Sequence, residues 1–324
     1  MATELVLLGT AGAPLPVAGR AGISSALIVD GRVFVIDCGR GAPSAYVDAG
    51  LDFRGLEAIF ITHLHADHAG DLPGMLLYPW GVRSDERGPL PPIRVYGPGS
   101  PRSLPADNAD FPRETTIAPE APVPGTSDLV GHIVAGYAFD LNVMPLDAHM
   151  PDAGQLVRAT DIHLPVGTDG TSHVVFEDPA VRVTATAVMH GRVMPALSYR
   201  FDTADGSVVF SGDTTVSDRL IALAKGADIL VHCVADLAYL EQHGFTGTAL
   251  ERMTALHTDV NDVGAVAEGA GVRELILNHY VPAELDAVTE AAWEERAARG
   301  FSGKTTAGTD GLRRKLSGAP AGLS

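Results

Sequence analysis

The sequence predicts an α/β fold in which two β-sheets pack face to face with helices outside each, a four-layer αββα sandwich. Three observations predict it. Short apolar, β-branched runs alternate with helix-like runs along nearly all of the 324 residues. The strand-rich second half repeats the style of the first, which suits two sheets sharing one interior. A hydrophobic content of 46% and a mean hydropathy of +0.14 supply enough apolar side chains for a large core.

In chain order, Leu5-Leu8, Ala26-Val29, Val33-Ile36 and Ala58-Ile61 read as strands, and Ala42-Ala49 and Ala69-Leu77 as helices. From Pro79 to about Leu164 the rhythm breaks. Prolines and glycines recur through Gly88-Pro92, Gly97-Pro101 and Pro119-Gly125, so loop, short helix or edge strand is expected there. Within this interval Gly131-Leu141 and Val157-Leu164 are expected to pair as strands and Asp147-Asp152 to form a loop. Tyr78, Trp80, Tyr137 and Phe139 fit either a pocket lining or ordinary core. Beyond it, Val174-Phe176, Val181-Val188, Leu197-Phe201, Val208-Phe210, Ile229-His232 and Leu275-Leu277 read as strands. Helices are expected near Ser217-Lys225, Asp259-Glu268 and Leu285-Ala298, and Arg313-Arg314-Lys315 reads as a solvated tail. The whole, 1–324, is expected to be one domain, with an insertion at about 79–164 shaping the substrate pocket.

No apolar stretch is long enough to span a bilayer, and Met1-Ala2-Thr3-Glu4 lacks the basic start of a signal peptide. A soluble, cytoplasmic protein with no membrane partner is expected. The two cysteines, Cys38 and Cys233, cannot make a disulfide scaffold and read as small buried hydrophobes in a reducing compartment. With 23 basic residues against 40 acidic ones the net charge is −17. Lys and Arg supply most of the non-specific affinity for phosphates, so nucleic acid is disfavoured and a small-molecule substrate expected. A homodimer stays open.

Thr62-His63-Leu64-His65-Ala66-Asp67-His68 follows the strand at Ala58-Ile61 and concentrates four metal-binding side chains. His63 and His65, two apart, project to one side of an extended backbone, whereas Asp67 and His68 diverge from them at the start of the next helix. Imidazoles with a carboxylate suit zinc first and iron or manganese second, and the divergence suggests two ions roughly 3.5–4 Å apart. Three later candidates, His190, Asp213 and His279, each lie just past a β-branched-rich run, where a sheet rim holds side chains rigidly. One such residue alone reads as structural. Together with the cluster they point to a metal centre.

These motifs, with Leu8-Gly9-Thr10-Ala11-Gly12, Ser24-Ser25-Ala26-Leu27-Ile28-Val29 and Val33-Phe34-Val35-Ile36-Asp37-Cys38-Gly39, resemble the metallo-β-lactamase superfamily, whose central motif is HxHxDH. The branch resembled contains ribonuclease Z and its phosphodiesterase and arylsulfatase-like relatives, and the motifs keep family order from residue 5 to 280. The resemblance implies the metallo-β-lactamase fold. It implies that His63, His65 and His190 hold one ion, that Asp67, His68 and His279 hold the other, and that Asp213 bridges them. It places Asp37, as a hydrogen-bond acceptor that orients the cluster, in the catalytic set with Asp67 and His257. His257, in Leu256-His257-Thr258-Asp259-Val260, stands where a His of ribonuclease Z-like enzymes helps protonate the leaving group or stabilise the transition state. Two departures are visible. Cys233 replaces the family's acid after Val231-His232, with Asp236 as a nearby substitute, and Asn278-His279-Tyr280-Val281-Pro282 lacks the usual Ser and Arg.

The expected activity is that of a dinuclear zinc hydrolase, with Mn or Fe as other metals, using a metal-bridging hydroxide on a small ester. Phosphodiester, sulfate ester, lactone and carboxylic ester are all open. The alternative is a tRNA 3′-processing endonuclease of the ribonuclease Z type. The charge balance argues against it, as does the lack of a compact basic counterpart to the Gly/Pro-rich arm with which that enzyme grips tRNA. A second alternative is an iron-dependent oxidoreductase on the same scaffold. In the insertion, His149 is the residue singled out for substrate contact.

Overall fold

The runs Leu5–Leu8 and Val33–Ile36 are apolar at every position because both faces of their sheet are covered, and all eight side chains are buried. The computed structural model describes residues 3–85, 88–107, 112–148, 150–164 and 172–317. The strands are β1 (Glu4–Gly9), β2 (Ser24–Val29), β3 (Arg32–Ile36), β4 (Leu56–Phe60), β5 (Ser84–Asp85), β6 (Gly88–Pro89), β7 (Ile93–Pro98) and β8 (Val157–Ile162) in the first half. They continue with β9 (His173–Glu177), β10 (Val181–His190), β11 (Val193–Thr203), β12 (Gly206–Phe210), β13 (Ile229–Ala235), β14 (Glu274–Val281), β15 (Lys304–Ala307) and β16 (Arg313–Lys315).

One sheet has the order β16-β1-β2-β3-β4-β7-β8 and the other β15-β14-β13-β12-β11-β10-β9, while β5 and β6 pair by themselves. Counted from β16 and from β9, each sheet makes three antiparallel pairings followed by three parallel ones. The facing sides share a core of Leu5, Leu7, Leu27, Phe34 and Phe60 against Phe176, Val183, Tyr199, Phe201 and Phe210. Its phenylalanine rings meet edge to face, for example Phe60 and Phe201 at 5.1 Å, an arrangement worth about 0.5–1.5 kcal/mol per pair beyond burial.

On the outer face of the first sheet, Val6, Val35 and Ile59 pack against Tyr46, Met75 and Val130 of the helices Ala42–Asp48, Leu72–Leu77 and Thr126–Gly136. On the second, Val209, Leu230 and Leu275 pack against Leu220, Val266 and Trp293 of Asp218–Leu223, Val263–Ala270 and Glu290–Ala297. The four layers expected from the sequence are therefore present.

The insertion is where expectation and structure part. Gly131–Leu141 forms no strand but falls in the helices Thr126–Gly136 and Ala138–Asp147, which meet at 52°. Val130 and Ile133 lie on one buried face at helical spacing, and the Asp128 carboxylate accepts a hydrogen bond from Gly125 N at 3.0 Å, closing the first turn. Strand β8 pairs with β7 instead. Trp80 is buried against Leu141 and Leu156, Tyr137 is half exposed, and Tyr78 and Phe139 face solvent. The expected helix Ala69-Leu77 is broken at Gly70-Asp71 into Ala66–Ala69 and Leu72–Leu77. Arg313–Lys315 is an edge strand paired with Glu4–Val6, not a free tail. Among the described residues no single helix is long and apolar enough to cross a membrane.

Candidate metal centre

Strands β3 and β4 are parallel neighbours, so the residues that follow them emerge side by side at the carboxyl edge of the sheet. Asp37 follows β3 and Thr62 follows β4. Asp37 takes a left-handed backbone, φ 61°, which turns its carboxylate under the loop. Its Oδ1 accepts from Thr62 N at 2.8 Å, and its Oδ2 accepts from Thr62 Oγ1 at 2.9 Å and from His68 Nδ1 at 2.8 Å. Because Nδ1 of His68 is committed to that bond, Nε2 is the nitrogen left to face an ion. That Nε2 is buried and has no hydrogen-bond partner.

His63 and His65 continue the same loop. His63 Nε2 and His65 Nδ1 are 3.0 Å apart, and His65 Nδ1 lies 3.3 Å from His190 Nε2. His190 ends β10, and its Nδ1 donates to Leu256 O at 2.7 Å, so its Nε2 is also an unprotonated nitrogen. Three imidazole nitrogens converging with so few protons among them repel one another unless a cation sits between them.

Asp213, in the turn after β12, closes the gap between the two halves of the cluster. Its Oδ2 lies 3.3 Å from His279 Nε2, 3.5 Å from His68 Nε2, 3.7 Å from His190 Nε2 and 3.8 Å from His257 Nδ1. Asp67 Oδ2 is 3.4 Å from His279 Nε2. His279 has φ 49°, and a side chain at Gly12 would place its Cβ 2.6 Å from the His279 ring, so glycine is required at that close approach. The donor atoms of His63, His65 and His190 lie within 4.8 Å of one another, as do those of Asp67, His68 and His279, of His63, His68 and Asp213, and of His190, Asp213 and His257. Asp213 Oδ1 is buried without a partner, which a divalent cation would satisfy; His257 Nδ1 is also buried and unpartnered.

Protonation fits the same picture. Burial pushes His63 well below its ordinary value and lowers His65 and His190, leaving neutral ligands. His68 is the exception: burial opposes it, but Asp213 and Asp37 hold it well above its ordinary value, so an incoming ion would displace a proton. Burial would raise Asp67 and Asp213, yet the surrounding imidazoles win, bringing Asp67 to about 2 and Asp213 well below the usual carboxylate range.

All the residues singled out from the sequence, His63, His65, Asp67, His68, His190, Asp213 and His279 with Asp37 and His257, gather at this one edge. Asp236 does not. It caps the helix Leu237–Gln242 through Tyr239 N at 2.9 Å and is ion-paired to Arg296, so it cannot stand in for the acid that Cys233 replaces. The Cys233 thiol is buried, pushed up to about 12 by burial, and turned to Thr214 O at 3.8 Å. Cys38 is likewise fully buried and held protonated by burial, not a ligand. His149 lies outside the described residues. Thr62, the Leu256 carbonyl and Gly12 are functional positions that the sequence reading passed over. Each adjoins or falls within a quoted motif, but none is a metal-ligating residue type.

Two family descriptions match parts of the chain: "Anti-Pycsar protein Apyc1" over residues 3–80 and "Beta-lactamase superfamily domain" over residues 137–280. The chain is 32% identical over 309 residues to a ribonuclease Z of Mycobacterium sp. (strain KMS), covering 95% of this chain and 94% of that one. It is also 32% identical to the ribonuclease Z of Mycobacterium avium (strain 104) over 324 residues, 98% and 99% of the two chains. Among solved structures, the short form of human tRNase Z superposes with a TM-score of 0.62 at 19% identity, covering 97% of this chain and 99% of that one. The metallo-β-lactamase fold protein YhfI of Bacillus subtilis gives 0.62 at 15% identity, with coverage of 97% and 99%.

Proposed function

Since the chain belongs to the ribonuclease Z family of metallo-β-lactamase-fold, metal-dependent hydrolases, we propose that it is an endonuclease that processes the 3′ end of precursor tRNA. The near-full-length identity to ribonuclease Z carries this reading. It overturns the expectation of a small-molecule ester substrate and of no nucleic-acid partner. The physical reason is that a net charge of −17 is an average over the whole surface, whereas phosphate recognition needs cations only where the strand lies. The hydrolase family also sets aside the iron oxidoreductase reading.

The donor set supports two ions: His63, His65 and His190 for one, Asp67, His68 and His279 for the other, with Asp213 shared, and zinc suits these nitrogens and oxygens best. When bound, such ions activate water and polarise a phosphoryl oxygen. The chain's own residues do the rest. Asp37 and Thr62 fix the His68 ring, and the Leu256 carbonyl fixes that of His190. His257 is the ring left over, and its proposed task is to deliver a proton to the leaving oxygen. Burial brings its pKa down to about 3, against the pull of Asp213, so the ring is neutral in the free protein. The test is a comparison of substrates: metal-loaded protein with precursor tRNA carrying a 3′ trailer, and with an unstructured RNA of equal length. Preferential cutting of the precursor supports the reading, and equal or absent cutting of both defeats it.

A further inference from the structure

The turn between β10 and β11 consists of Gly191 and Arg192, directly after the candidate ligand His190. It is rigidly placed. Gly191 has φ 58°, and a Cβ there would lie 2.8 Å from Leu256 Cδ2, so the turn packs on the residue whose carbonyl orients His190 and which precedes His257. Arg192 is exposed, and its Nη1 donates to Ala106 O at 2.7 Å. On the neighbouring carbonyl, Pro105 O, sits Arg113 Nη2 at 2.9 Å. Two guanidinium groups therefore hold consecutive carbonyls of one loop beside the metal centre. They differ in charge balance. Arg113 is paired with Asp107 at 2.5 Å, whereas Arg192 meets no carboxylate among the described residues.

We infer that Arg192 is a phosphate-binding residue for the RNA strand flanking the scissile bond. A guanidinium has five N–H donors, and one carbonyl occupies a single edge, leaving the rest for bidentate contact with a phosphate. Its place two residues past His190, on a turn packed against Leu256, sets it beside the residues that would hold the ions. The anchoring on Ala106 holds the group in position in advance, so little side-chain freedom is lost on binding. This local cation is what the acidic average conceals.

The inference rests on the RNA-cleavage reading, and the experiment separates the two. Cleavage of precursor tRNA is followed at 50–200 mM KCl for wild type, Arg192→Ala and Arg192→Lys, with bound metal and melting temperature measured on each. Arg192→Ala should raise KM about ten-fold with little change in kcat and reduce the slope of log KM against log salt by about one. Arg192→Lys should retain part of the affinity. Metal content and melting temperature should match wild type. Unchanged KM and salt slope in Arg192→Ala overturn the inference, as does a loss that comes with lost metal or lost stability. If wild type itself leaves precursor tRNA uncut, the functional reading fails first.

Discussion

Replacing Asp37 by Asn should weaken divalent-ion binding by roughly 10–100-fold, the usual cost of altering a group that orients a metal ligand. Asn tolerates left-handed backbone, so φ 61° is kept and the substitution acts only on the hydrogen bonds. The carboxylate now accepts from Thr62 N at 2.8 Å and from His68 Nδ1 at 2.8 Å. An amide has one oxygen, which must stay on Thr62 N or leave two N–H groups facing each other at a cost of about 1–3 kcal/mol. With the oxygen there, the NH₂ faces His68 and makes Nδ1 an acceptor. The ring proton then moves to Nε2, the nitrogen 3.5 Å from Asp213 and aimed at the ion. A 10–100-fold loss corresponds to about 1.4–2.7 kcal/mol. Competition with a chromophoric chelator measures the affinity, and nitrogen chemical shifts of His68 report the tautomer. Affinity within two-fold of wild type, with the proton still on Nδ1, would refute the reasoning.

Asp213→Ala should remove ions from both halves of the cluster, because one carboxylate oxygen lies within 3.8 Å of rings from each; elemental analysis falling by only one ion, or not at all, contradicts the bridge. His257→Ala should lower turnover about 10²–10⁴-fold with metal content intact. A loss explained by missing metal would make His257 a ligand instead. Metal affinity should rise with pH above the ordinary histidine value of 6.5, because His68, raised despite its burial, must surrender a proton to bind. Calorimetry in buffers of different ionisation enthalpy measures that release, and its absence refutes the assignment.

The centre was legible because four of its donors fall within six residues and the others lie at or just past the carboxyl ends of apolar runs. What eluded sequence reading was assembled from distant or polar pieces. β15 and β16 are built of Lys304-Thr-Thr-Ala and Arg313-Arg-Lys, edge strands too polar to show a buried face. Gly131 and Gly136 masked the helix Thr126–Gly136, whose apolar positions make sense only against β7 and β8. Asp236 looked available until Arg296, sixty residues on, reached it. The cation at Arg192 depends on a loop from elsewhere in the chain, so no run of basic residues could announce it.

The proposed activity is tested most directly by mapping the products of end-labelled precursor tRNA after incubation with protein of measured metal content. One endonucleolytic cut is expected at the 3′ end of the tRNA, abolished by a chelator, restored by zinc, and absent with Asp213→Ala. Precursor left intact by protein carrying its full complement of metal would contradict it.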